Sequence, residues 1–186
     1  MTIVKEYLKA VVKLYKTKSK PTDFVYYGLE DFVLQNGKSF VPKERPFSVS
    51  RLPLGKCFQN AFKVFMKHPE WSYVEGFAIS TDAMLPIPFQ HAWLVDEQGN
   101  VIDPTWNPVG TEYFGVAFDR QFVMKTAIDR KHFGIMEDYQ QGYPVLRGIF
   151  TLDTRWGPSG GAVRILESEE VKKLISEIEG STWTTK

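Results

Sequence analysis

No disulfide can form within this chain, because Cys57 is the only cysteine among its 186 residues. A lone thiol suits a reducing compartment better than an oxidising one. Charge of one sign is also lacking. The formal net charge is +1, so there is no global electrostatic pull toward nucleic acid or toward an acidic substrate. No run approaches the roughly 20 apolar residues that a membrane helix needs. Lys5, Lys9 and Lys13 interrupt the segment before Pro21, which leaves no continuous apolar stretch of the kind a secretory signal carries. Cytoplasmic residence without membrane or nucleic-acid partners is the expectation. Internal repeats, low-complexity tracts and linkers are missing too, which predicts a single domain over residues 1–186.

What is present is enough apolar and aromatic material for a sizeable core, at 43% hydrophobic and 15% aromatic residues. Ile3, Val4, Tyr7, Leu8, Val11, Val12 and Tyr15 recur at helical spacing, predicting an amphipathic helix over about residues 2–16 with its lysines facing solvent. Residues 24–54 are punctuated by Asn36-Gly37 and by prolines, and read as short pieces. A second helix is expected to open near Cys57, with Ala61, Val64 and Phe65 on its inner face. Strands are expected at 73–79, 90–95 and from Val101 toward residue 106, and helices over about 119–131 and 168–178. Helix, then strands, then helix predicts α+β: the helix bearing Cys57 packed on an antiparallel sheet.

A thiol does nucleophilic chemistry as the thiolate, which a helix N-terminus and a neighbouring imidazolium both stabilise. Cys57 lies where the first turn of a helix is expected. The base such a thiol requires must itself be oriented by a third group. If Glu97-Gln98-Gly99 is a three-residue hairpin loop with Gly99 in the left-handed position, Asp96 pairs with Asn100 and Trp93 lies opposite Asp103. His91 and Asp103 then project from one face, one diagonal step apart, a separation that a histidine and a carboxylate can span. His68, eleven residues after Cys57, falls too far along the same helix to be the partner. His132, at an expected helix end, suits the dipole better than catalysis.

The segments Gly55-Lys56-Cys57-Phe58-Gln59-Asn60-Ala61, Gln90-His91-Ala92-Trp93 and Val101-Ile102-Asp103-Pro104-Thr105-Trp106 resemble the transglutaminase-like superfamily and its papain-like relatives. Members carry a cysteine opening a helix, a His-Ala-Trp strand and an Asp-Pro-Thr strand end, in that order. The resemblance covers roughly residues 53–106. It implies Cys57 as nucleophile, His91 as general base and acid, and Asp103 as the group orienting the imidazole. Trp93, Trp106 and Gln90 are expected to line the substrate site.

These readings converge on a thiol-dependent hydrolase of amide bonds that forms a thioester on Cys57, with a peptide, protein or small amide as substrate. Acyl transfer to an amine is an alternative, and so is a binding protein that keeps the fold without the chemistry. Cys57, His68 and His91 lack zinc-ligand spacing, and Gly157-Pro158-Ser159-Gly160-Gly161 lacks the Lys-Ser/Thr ending of a phosphate loop, so neither metal nor other cofactor is expected.

Overall fold

The computed structural model describes residues 2–130, 133–153 and 162–165. Among these residues, four α-helices accompany a seven-stranded sheet. They are α1 (Ile3–Tyr15), α2 (Leu29–Asn36), α3 (Cys57–Phe65) and α4 (Arg120–Arg130). The strands are β1 (Lys38–Phe40), β2 (Ser72–Ile79), β3 (Phe89–Val95), β4 (Val101–Ile102), β5 (Glu112–Phe118), β6 (Phe150–Asp153) and β7 (Ala162–Ile165). The sheet runs β4-β3-β2-β5-β7-β6, with β1 also paired to β5. The fold is therefore α+β.

Local chemistry fixes the helix ends. Thr2 caps α1 by accepting from the Lys5 amide, and the Glu112 carboxylate reaches over from β5 to accept from the amides of Ile3 and Val4 at 3.1 and 3.0 Å. A negative group at a helix N-terminus satisfies orphan donors and opposes the dipole, so Glu112 ties α1 to the sheet. At the far end of α3, Arg120 donates to the carbonyls of Phe65 and His68 while its guanidinium lies 4.2 Å from the Phe65 ring centroid. Both charges sit on residues that begin elements, so each locks two elements together.

The sheet is buried on both faces. Tyr73, Phe77, Ala92, Leu94, Phe114 and Val116 face the layer containing α1, α2 and α3. Val74, Ala78, Trp93, Val95, Tyr113 and Ala117 face the opposite, smaller core. Gly76 pairs with Gly115 across β2 and β5, and with His91 across β2 and β3. The absence of side chains there is required, since a Cβ on Gly115 would lie 2.7 Å from Cη2 of Trp93. Gly115 makes the bed on which the indole lies, and Gly76 lets the β5 backbone approach closely.

Three sequence expectations are corrected. The strand expected from Val101 toward residue 106 stops at Ile102, because Pro104 has no N–H to donate and the Asp103 side chain takes the amides of Thr105 and Trp106. The sheet is not wholly antiparallel, since β5 and β7 run parallel. Finally, β5 is central and was not anticipated. Its run Tyr113 to Phe118 is apolar without alternation, as in a strand buried on both sides, and periodicity is blind to such a run. The expected helix at 168–178 and the 157–161 glycine loop lie outside the described residues, as does His132. No helix among the described residues is long and apolar enough to cross a membrane.

Candidate active site

The site lies where the N-terminus of α3 meets the ends of β3 and β4. The hairpin between those strands has the register that its turn dictates. Leu94 pairs with Ile102 and Val95 with Val101, and Asp96 accepts from Gly99 and donates to Asn100. Gly99 has φ +79°, the left-handed value that closes a three-residue loop. One step further along this register, Trp93 lies opposite Asp103. That leaves His91 one diagonal step away, and Nε2 of His91 is 2.8 Å from Oδ2 of Asp103.

Asp103 is almost completely buried and has four hydrogen-bonding partners. Besides His91, the Tyr113 hydroxyl donates to Oδ2 at 2.8 Å. The amides of Thr105 and Trp106 donate to Oδ1 at 2.8 and 3.1 Å. Tyr113 in turn accepts from the Gly110 amide at 2.9 Å, which orients its own proton toward the carboxylate. Burial alone would raise the Asp103 pKa. The His91 charge and hydrogen bond, with help from Thr105 and Tyr113, outweigh it and hold the carboxyl below its ordinary value.

His91 is 2% exposed. Burial alone would lower its pKa, but the charge and hydrogen bond of Asp103, then the hydrogen bond and charge of Cys57, raise it to about 9. The imidazole is therefore a cation at neutral pH. The Cys57 side chain is near enough to the ring to contribute to this shift. With Nε2 committed to Asp103, Nδ1 is the nitrogen left for the thiol.

Cys57 is the first residue of α3 and is half-buried. Lys56 at the N-cap makes no side-chain capping bond, so no side chain covers the first-turn amides. Asn60, one turn along α3 and fully buried, donates to the Pro53 carbonyl at 2.7 Å and to Oγ1 of Thr105 at 3.1 Å. The Leu52 amide donates to the Pro104 carbonyl at 2.7 Å. The bonds to Thr105 and Pro104 fasten the cysteine loop to the strand end that carries Asp103, and the bond to Pro53 braces the loop against α3.

The remaining sequence candidates separate. Trp106 stacks on His91 with centroids 3.8 Å apart and planes within 10°, while Trp93 is 6.2 Å away. Indole Nε1 of Trp93 is buried without a hydrogen-bond partner. Gln90 alternates to the face of Ala92 and Leu94, away from the imidazole's face. His68 lies elsewhere, bonded to Glu70 and stacked on Trp71. Sequence reasoning assigned no part to Asn60, Thr105 or Tyr113. An asparagine three residues after the cysteine, on the inward face of an apolar helix, was a readable sign. Nothing marked Tyr113.

Among the described residues, no group of three or more His, Cys, Asp or Glu side chains is placed to hold a metal ion. No family model matches the chain, and no curated protein or solved structure matches it.

Proposed function

We propose that the chain is a thiol-dependent hydrolase of amide bonds with a core of the papain-like and transglutaminase-like kind. One observation carries this reading. A buried imidazole holds Asp103 through Nε2 at 2.8 Å, and the Cys57 side chain is near enough to help raise its pKa. That is the linear order of orienter, base and nucleophile that covalent catalysis requires. The state that reacts is the ion pair, thiolate beside imidazolium.

From that state the thiolate attacks the amide carbonyl, forming the C–S bond. The uncapped first-turn amides of α3 stand ready to receive the developing oxyanion. As the C–N bond breaks, His91 gives its Nδ1 proton to the departing amine and a thioester remains. Water then attacks the thioester and passes a proton to the neutral imidazole. The acid product leaves, and the ion pair is restored. Asp103 stays ionised throughout, fixing the ring and stabilising the imidazolium.

The test is the pH dependence of Cys57 alkylation by iodoacetamide, read by intact mass, in wild type and in His91→Ala. An imidazolium beside the sulfur keeps wild type reacting at about pH 6.5, where His91→Ala should have slowed by an order of magnitude or so. Superimposable profiles for the two proteins would mean that no activated pair exists, and the enzyme reading would be given up.

A further inference from the structure

Side chains alternate along β3, so Phe89 projects from the same face as His91, about 7 Å along the strand. It is the first residue of β3 and is 50% exposed. Across β2 it meets Ala78, and His91 meets Gly76. No bulky side chain of β2 therefore stands beside either ring on this face. On its other side the imidazole is covered by Trp106, itself partly exposed. The loop feeding into Phe89 continues the apolar character, with Met84, Leu85 and Ile87 all exposed. Between Ser80 and His91 the one ionisable side chain is Asp82. With Met84, Leu85 and Ile87, this half-exposed ring extends a run of exposed apolar side chains, the kind of surface that marks a contact site for something apolar.

The geometry points to Phe89 as a specificity-determining residue: with Trp106 it forms an apolar platform that selects amides carrying an apolar group on the leaving amine. This deepens the proposed function and rests on it. The side of the scissile bond follows from the chemistry. His91 must meet the departing nitrogen to protonate it, so whatever is bonded to that nitrogen lies against the side chains that flank His91. Trp93 and Tyr113 beside the ring are buried, which leaves Phe89 and Trp106 as the flanking side chains that reach solvent.

The inference is tested with N-substituted chloroacetamides, in which the thiolate displaces chloride and the amide nitrogen bears the variable group. Cys57 is the sole cysteine, so every adduct reports on this site. The quantity measured is the rate with the N-butyl probe over that with the N-methyl probe, divided by the same ratio for free cysteine. For three methylenes partly removed from water this ratio should be about 10 in wild type. An N-carboxymethyl probe should gain nothing. Phe89→Ser should bring the ratio down to about 2, and Phe89→Leu, which restores apolar surface, should retain most of it. Unchanged thermal midpoints for both variants separate lost selectivity from lost fold. A wild-type ratio near unity, or a ratio that Phe89→Ser leaves untouched, overturns the inference. Failure of the hydrolase reading looks different. The pH dependence of alkylation would then follow an ordinary thiol and be unmoved by His91→Ala, whatever the ratio between probes.

Discussion

Two carboxylates are buried in neighbouring parts of this sheet, on opposite faces, and their protonation is driven in opposite directions. Asp103 lies with Trp93 and Tyr113. Glu75 lies under the helices, at the centre of β2. Both accept from two backbone amides and meet one tyrosine hydroxyl. Glu75 takes the amides of Ile135 and Met136 at 2.6 and 2.9 Å and the hydroxyl of Tyr73 at 2.9 Å. Yet burial raises Glu75 to about 7, against these hydrogen bonds and with a further push from the like charge of Glu137, while Asp103 is held below its ordinary value. The difference is one cation. Hydrogen bonds alone do not offset the desolvation of a carboxylate, whereas hydrogen bonds plus the His91 imidazolium do.

Replacing each acid by its amide should separate their roles. Asp103→Asn is expected to leave the fold intact and to cost turnover of an amide substrate about 10⁴-fold, because an amide can hold the wrong imidazole tautomer. Glu75→Gln, on the face away from His91, should change turnover little. Equal losses from both would erase the contrast.

The next effect is on stability against pH, followed by urea unfolding between about pH 5 and 9. Glu75 has a folded pKa above its unfolded value of 4.5. Its stabilising contribution is thus complete below pH 4.5 and is lost as pH rises through about 7. The loss should amount to about 3 kcal/mol. His91 has the same sign, its contribution being full below pH 6.5 and lost through about 9. Glu75→Gln should flatten the lower part of the decline and leave the upper part. A wild type whose stability rises from pH 5 to 7 would contradict the assignment.

Smaller effects fall on the neighbours of Asp103. Asn60→Ala strands the Pro53 carbonyl and should destabilise by about 1–3 kcal/mol. It should also slow Cys57 alkylation, because the cysteine loop loses its anchor to Thr105. Tyr113→Phe should cost only about 1 kcal/mol. It leaves Oδ2 of Asp103 wholly to His91, so the imidazolium is held more strongly and the alkaline limb of the alkylation profile should move upward. A downward movement would show that the hydroxyl supports the His–Asp pair and does not compete with it.

The legible parts of the molecule were those coded over short stretches. The α1 stripe, the Gly99 turn and the alternation of β3 are local patterns, and together they placed His91 diagonally opposite Asp103 before any coordinates. The Asp-Pro sequence was legible as a strand end but not as the place where the carboxylate would take two amides from its own chain. What was illegible depends on distant partners. Tyr113 reaches Asp103 from a strand whose apolar run has no period. The Glu75 bonds come from residues 60 or so positions away. The bed for Trp93 needs a glycine on β5, two strands away. Such features are set by which strands become neighbours, and single-strand patterns do not carry that information.

The origin of one of those donors has a bearing on synthesis. Translation delivers Cys57, His91 and Asp103 before it delivers Tyr113, and the sheet order places β5 on the far side of β2 from β3. A nascent chain that has just emerged past Trp106 already contains the thiol, the imidazole and the carboxylate, but not the phenol or the strand that completes the wall behind them. The reactive centre is thus assembled late, with a component that arrives only when the middle of the sheet closes.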